Sequence, residues 1–348
     1  MGDIKSRVCS FDNLYNAMTK CRKGVLWKDS VARVSNNALM NTLKLHNQLM
    51  DGTYSIDGYY EFTIHEPKRR DIVSTKIKDR IFQRSLCDNY FYEAITKSFI
   101  YDNCACQTGK GTDFARGRLN CHMQRHYRKH GLSGYVLNCD MKNYFGSTPH
   151  DLVKATIRKS ITDQWVLDHV DTLISSYAEE GSPEVGLGLG SQITQILQLA
   201  VLSDLDKYIK EELRIKQYIR YMDDFILIHH DKEYLKECLV EIKRIVSDMG
   251  LQLNTKKTQI FPINQGINFL GFKFRLTETG KVIRLLDKSN VKKRKRKLRK
   301  YRDLVAQGKM TREKADECYN SWKAHAKNGN TYLLLKRMDL YYESLWKE

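Results

Sequence analysis

Two aspartates, Asp223 and Asp224, sit side by side in QYIRYMDDFILIHH (217–230), between two runs of β-forming residues. A tight hairpin turn favours Asn-Gly or Asp-Gly, because glycine relieves the strain of positive φ. Adjacent carboxylates at such a turn repel each other. The repulsion is tolerable when divalent cations lie between acids, and a third carboxylate, Asp140 at the end of GYVLNCDM (134–141), is available to share them. Mg²⁺ takes carboxylate oxygens, water and substrate phosphates. Two such ions held about 4 Å apart stabilise an in-line phosphoryl displacement. One ion lowers the pKa of an attacking 3′-hydroxyl, and the other holds a triphosphate and its departing pyrophosphate. That chemistry needs one acid at a strand end, others on a facing hairpin, and backbone room for a nucleotide.

The neighbouring pattern supplies those elements. GYVLNCDM predicts a strand. In STPHDLVKATIRKS (147–160), Thr148 suits an N-cap, Pro149 the first helical turn and Asp151 the positive end of the dipole. Three alternate glycines open GLGLGSQITQILQLAVLSDLDKYIKE (Gly186–Glu211), whose apolar face runs Ile193, Ile196, Leu197, Val201, Leu205, Ile209 at helical spacing. After the hairpin, residues 231–250 predict an amphipathic helix capped by Asp231 and ended by Gly250. LQLNTKKTQIF (251–261) and INFLGFKFRL (267–276) predict two further strands. The order strand, helix, helix, hairpin, helix, strand, strand fits an α+β arrangement, an antiparallel sheet backed by helices on one face, of the split-βαβ type. Such a sheet brings Asp140 beside Asp223 and Asp224.

The first 130 residues are helix-rich and basic around a β-like piece, YYEFTIHEP (59–67). Near the other end, KSNVKKRKRKLRKYR (288–302) holds about ten basic residues and no acid, and a helical pattern follows through SWKAHAKNGNTYLLLKRMDLYY. A formal net charge of +18 over 348 residues points to a polyanionic partner, nucleic acid above all. The 41% hydrophobic content is that of a globular chain, and four prolines argue against long irregular linkers. No apolar run of about 18 residues predicts a membrane span, and no secretory h-region opens the chain. MGDIKS formally fits a myristoylation pattern at Gly2. The nine cysteines are scattered; Cys104 and Cys106 are too close for a usual zinc knuckle, and Cys121–His122 has no matching pair. They predict reduced, mostly buried thiols in a cytoplasmic protein.

In order along the chain, EPKRRDIVSTKIKDRIFQRSL (66–86), CDMKNYF (139–145), GLGLGSQITQ (186–195), YMDD (221–224), LNTKKT (253–258) and FLGFKF (269–274) resemble the motifs of reverse transcriptases. The resemblance implies a right-hand polymerase fold. Residues 1–133 would form fingers with an N-terminal helical region, 134–278 a palm with some fingers insertion around 150–185, and 279–348 a basic helical thumb. It implies RNA-directed DNA synthesis on template RNA from a DNA or RNA primer, with deoxynucleoside triphosphates and two Mg²⁺ ions, for which Mn²⁺ can substitute. Asp140 and Asp223 would be the metal ligands, joined by the carbonyl of Met141, with Asp224 a weaker or indirect ligand. Lys68, Arg69 and Arg70 would meet the triphosphate, Arg70 aligning best. Phe145 would be the gate that excludes a 2′-hydroxyl. Gly190 would let the backbone approach the new base pair, with Gln195 in the same substrate-binding motif. Lys257 would stand near the pyrophosphate, beside a surface Lys256. Leu189 departs from the pattern, because many members carry glutamine there. The basic last segment would grip a template–primer duplex through sugar and phosphate, and Trp322 and His325 would either stack on nucleic acid or fill a helical core.

The Gxxx[Ser/Thr]Gln form, together with EFTIHEPKRRDI, YDNCACQTGKGTD and SWKAHAKNGNTYLL, is similar to reverse transcriptases of diversity-generating retroelements. That group errs at adenines while copying a template repeat, and acts with a structured non-coding RNA and a small basic accessory protein oligomer. Three alternatives stay open: a phage-defence reverse transcriptase making DNA from a dedicated non-coding RNA, a group II intron maturase, and a catalytically inactive RNA-binding protein.

Overall fold

Three antiparallel sheets organise the chain. The computed structural model describes residues 3–65, 69–177 and 184–347; Gly2 and Lys68 lie outside them. Strands β1 (Tyr59–Ile64) and β2 (Arg70–Thr75) form a hairpin. Strands β3 (Tyr135–Asp140), β4 (Gln217–Tyr221), β5 (Asp224–His229) and β6 (Gln259–Pro262) form the central sheet in the order β4-β5-β3-β6. Strands β7 (Ile267–Phe269), β8 (Phe272–Leu276) and β9 (Val282–Leu286) form the third.

The central strands are apolar at consecutive positions. Val136 and Leu137 of β3, and Phe225 through Ile228 of β5, are all buried. Successive side chains of a strand point to opposite faces, so such runs need cover on both sides. Leu137, Cys139, Phe225 and Leu227 join the core formed with helices Gln192–Val201, Ser203–Glu211 and Lys232–Asp248. Val136, Ile226 and Ile228 join a second core with Ala115, Leu119 and Met123 of helix Thr112–His130. This corrects the expectation of helices on one face only.

Several local expectations are also revised. The long helix from the glycine run breaks at Leu202 into two, although its six apolar positions are all buried. Thr148 does not cap the next helix, which spans His150–Arg158 with Pro149 at the N-cap. The Thr148 hydroxyl instead donates back to the carbonyl of Tyr144 at 2.6 Å and is buried. Asp231 does cap its helix, accepting from the N–H groups of Glu233 and Tyr234. Of 251–261 only Gln259–Pro262 is a strand. Residues 254–258 fold back as a turn, with the Lys257 and Thr258 N–H groups on the Asn254 carbonyl. Strands β2 and β9 carry no clean alternation and were not expected. Position 278 falls in the connection between β8 and β9 of one sheet.

Helices Lys288–Ala306, Arg312–Ala326 and Tyr332–Ser344 pack on the third sheet around Phe272, Leu298, Tyr319, Trp322 and Tyr342. Trp322 is therefore a core residue, its Nε1–H donating to Asn290 Oδ1 at 3.2 Å. The His325 ring lies 5.1 Å from that of Phe272. Within Lys288–Ala306 only Leu298 is buried, so the basic residues lie at the surface or near it. All nine cysteines are free. Among the described residues, no helix is long and apolar enough to cross a membrane.

One buried ion pair fastens the hairpin to the helices. Arg220 and Asp206 have no exposed side-chain surface, and their guanidinium and carboxylate meet at 2.7 and 2.6 Å. The Tyr218 hydroxyl donates to the same carboxylate at 2.6 Å. Arg220 also donates to the carbonyls of Leu199 and Met222, each at 2.9 Å. Removing one partner leaves an uncompensated buried charge, which costs about 3–5 kcal/mol. Asp206→Ala should therefore lower unfolding stability by about that amount in a denaturant titration followed by circular dichroism. Glu317→Ala, which breaks the exposed Lys314–Glu317 pair, should leave the midpoint unmoved; equal losses in the two variants would contradict this ranking.

Candidate active site

The register between β3 and β5 pairs Asp140 directly with Asp224. Directly opposed residues of an antiparallel pair have Cα atoms ~5 Å apart and side chains on one face. The N–H of Met141 donates to the Asp223 carbonyl at 3.2 Å, which ties the strand end to the hairpin turn. Tyr221 pairs with Asp224, so Met222 and Asp223 are the two turn residues. Met222 takes φ +56°, a left-handed conformation that glycine usually fills. That strain is of order 1–3 kcal/mol, and the Arg220 bond to the Met222 carbonyl helps hold it.

The three acids are crowded and poorly solvated. Burial raises the Asp223 carboxyl pKa, and Asp140 adds to the rise, against the opposing charges of Lys257 and Arg70. Burial, then Asp140 and Asp223, push Asp224 up to about 7, with Lys257 opposing. Asp224 Oδ1 is buried without a hydrogen-bond partner. Asp140 is met by Lys257 Nζ at 2.6 Å on Oδ1 and by Asn254 Nδ2 at 3.3 Å on Oδ2. The Asn254 N–H donates to the Asp140 main-chain carbonyl at 2.7 Å, and Lys142 N–H to the Gln252 carbonyl at 2.8 Å. These two bonds flank the Met141–Leu253 bridge, so the Met141 carbonyl takes no part in it.

Oxygen-only donors, one of them buried and unpartnered, match the ligand chemistry of a hard divalent cation. Among the described residues, no group of three or more His, Cys, Asp or Glu side chains is arranged to hold a metal ion. The Lys257 ammonium occupies one side of Asp140 instead.

A cleft of about 450 Å³ is lined by Arg69, Arg70, Phe145, Tyr177, Leu187 and Leu189 among others, and Arg70 also acts on Asp223 through its charge. Arg69 and Arg70 come from the start of β2, and Phe145 from the short helix Tyr144–Ser147 behind a left-handed Asn143 (φ +49°). Gly190 and Gln195 do not line this cleft. They face a second one, also about 450 Å³, with Arg80, Gln83, Arg84 and Cys106. Gln195 Oε1 is 3.6 Å from Cys106 Sγ, which in turn lies 3.9 Å from Met222 Sδ. The close approach that Gly190 (φ +130°) permits here is to Ser74 of β2, which an added Cβ would meet at 3.3 Å. Gly188 is tighter still, since a Cβ there would lie 2.2 Å from the Tyr177 ring. Asn254, Arg220 and Tyr177 were not singled out from the sequence. A charged residue inside the apolar run YIRYM was the available signal for Arg220.

A family profile described as reverse transcriptase (RNA-dependent DNA polymerase) matches residues 65–274, more than half of the chain. The chain belongs to the reverse transcriptase family. Protein YkfC of Escherichia coli (strain K12) is 25% identical to this reverse transcriptase, over 40% of this chain and 46% of its own length. The chain thus spans less than half of that relative. Among solved structures, apo telomerase from Candida tropicalis, truncated from its C-terminal domain, superposes with a TM-score of 0.50 at 14% identity. The match covers 71% of this chain and 60% of that one, and it speaks for the fold alone.

The raised pKa of Asp224 has a consequence for stability. The folded carboxyl binds its proton more tightly than the unfolded one, so the group is unpenalised at low pH. Its stability contribution is lost as pH rises from the unfolded value near 3.8 through about 7. Without divalent cations, Asp224→Asn should therefore raise the melting temperature at pH 8. The gain is a few kcal/mol at most, since each tenfold change in proton affinity is worth about 1.4 kcal/mol, and it should shrink toward pH 4. Melting curves at the two pH values decide this; a gain confined to low pH would reverse the assignment.

Proposed function

We propose that this reverse transcriptase extends a primer along an RNA template from deoxynucleoside triphosphates, with Asp140, Asp223 and Asp224 holding Mg²⁺ at the hairpin tip. The observation that carries this is the register that sets Asp140 opposite Asp224. It gathers three carboxylates at one strand end and one hairpin, with Arg70 of the neighbouring β2 strand within electrostatic reach. Divalent cations bound there would activate the primer 3′-hydroxyl and neutralise the departing pyrophosphate.

The chain's own side chains supply the rest. Arg69 and Arg70 present guanidinium forks suited to phosphate oxygens, and Arg70 lies within electrostatic reach of Asp223. Phe145, half-buried at the cleft wall, is placed to close against a 2′-hydroxyl. In this assignment the β1–β2 hairpin and N-terminal helices act as fingers. The central sheet is the palm, and the three C-terminal helices are a thumb whose basic surface tracks the duplex backbone.

The proposal extends to a diversity-generating role, with a structured RNA and a basic accessory protein as partners. The support is Leu189, an aliphatic wall in the cleft of Arg70 and Phe145. A glutamine there could hydrogen-bond near the sugar and leave a wrong partner unsatisfied, whereas leucine only fills space. Base selection is then loose.

Primer extension on an RNA template with Mg²⁺ should proceed with the wild type and fall to background with Asp223→Ala; extension by both would end the assignment of the acids. Leu189→Gln should lower misincorporation opposite template adenine several-fold. Equal error rates in the two proteins would remove the basis for loose selection. Phe145→Ala should admit ribonucleotides that the wild type rejects, read by extension with ribonucleoside triphosphates alone.

A further inference from the structure

Asp140 is committed on both carboxylate oxygens. Lys257 Nζ takes Oδ1 at 2.6 Å, and Asn254 Nδ2 lies 3.3 Å from Oδ2. Both partners come from one turn, closed by the Lys257 N–H on the Asn254 carbonyl at 3.1 Å and hung on Asp140 by the Asn254 N–H at 2.7 Å. The turn itself thus holds the ammonium against the acid in the free protein. The two partners differ in freedom. The Lys257 side chain is 49% exposed, while that of Asp140 is 14% exposed and fixed at a strand end. The lysine can swing into solvent, and the carboxylate cannot follow it.

The surroundings give the pair a purpose beyond a surface contact. Three carboxylates face one another across β3, β5 and the turn, and Asp224 Oδ1 is buried without a partner. Among the described residues, Lys257 is the cation in ion-pair contact with them. Arg70 acts on Asp223 only at longer range. Among the described residues, no other cation comes as close to offset their repulsion.

We propose that Lys257 is the resident counterion of the acid site: its ammonium stands in for a divalent cation at Asp140 and swings away, free to meet an anionic group of the nucleotide, when such a cation takes that carboxylate. The inference rests on the metal-dependent function proposed above. It gives one side chain two successive partners, Asp140 in the free protein and an anionic group of the nucleotide afterwards. It also makes Lys257 a competitor that weakens cation binding until substrate offers the ammonium another partner.

The test uses the full chain without nucleic acid or nucleotide, titrated with Mn²⁺, the free ion being read by electron paramagnetic resonance. Wild type is compared with Lys257→Met, which keeps the stem and drops the charge, with Lys257→Arg, which keeps the charge, and with Asp140→Asn. Lys257→Met should bind Mn²⁺ about fivefold more tightly than wild type, the size expected for a half-exposed ion pair. Lys257→Arg should stay near wild type, and Asp140→Asn should lose the site. If Asp140→Asn loses the site but Lys257→Met binds no more tightly than wild type, or Lys257→Arg gains as much as Lys257→Met, the counterion role is wrong and the metal site stands. If Asp140→Asn binds as wild type does, the metal site itself is wrong and the counterion role falls with it.

Discussion

A guanidinium buried in the centre of the molecule fixes where the acids stand. Arg220 lies on β4, one residue before the motif, with no exposed surface. It holds Asp206 of one helix, the carbonyl of Leu199 of another and the carbonyl of Met222 in the turn. Its own N–H donates to the Asp102 carbonyl, and its carbonyl accepts from Cys104. Asp102 in turn gathers Arg118, His122 and Lys210 within 3.0 Å. Burial pushes the Asp102 carboxyl pKa up, but hydrogen bonds from His122 and Arg118 and the nearby positive charges hold it below its usual value. Two helices, a loop and the hairpin are thus joined through charge-assisted bonds in a dry interior, where such bonds are strong and any missing partner is costly. The strained Met222 conformation survives because its surroundings over-determine it.

On that frame, the site is built against electrostatics. Opposed carboxylates on one face of an antiparallel pair destabilise it, and two of the three here are further raised in pKa by burial. The fold accepts this cost at the end of β3 and at the turn, where the sheet opens onto a cleft. Elsewhere the same strands are mostly apolar on both faces, with Asn138 of β3 the exception in mid-strand. Stability is concentrated in the two cores and given up at one edge, as is common where strain and unpaired charge mark a working site.

The glycine run separates two clefts. Leu189 turns toward Arg70 and Phe145, while Gly190 and Gln195 turn toward Arg80 and Cys106. The alternation follows from local geometry. Gly188 packs on the Tyr177 ring, which a Cβ would meet at 2.2 Å, Gly190 (φ +130°) lies against the Ser74 side chain, and Leu189 projects between them. The family profile shows that the chain belongs to the reverse transcriptases. The fold-level likeness to telomerase, at 14% identity, carries no residue of this cleft with it.

The sequence by itself determined the elements that hold the three acids. Asp140 at a strand end, the hairpin that carries Asp223 and Asp224, the helix capped by Asp231 and the basic run from Lys288 are set by neighbours within a few positions: alternation, caps and turn residues. Those signals are local, and the sequence displays them directly. What only the tertiary structure decided lies between distant segments. The second covered face of the central sheet, the Arg220–Asp206 pair, the Asn254–Lys257 clamp on Asp140, the core position of Trp322 and the separation of Leu189 from Gln195 all depend on which segments meet. Thr148 shows the same limit at short range, because a hydroxyl free to cap one helix was taken by the carbonyl of another. A buried charge or a shared cleft exists only once desolvation and packing have chosen its partners, and no local pattern in the chain records that choice.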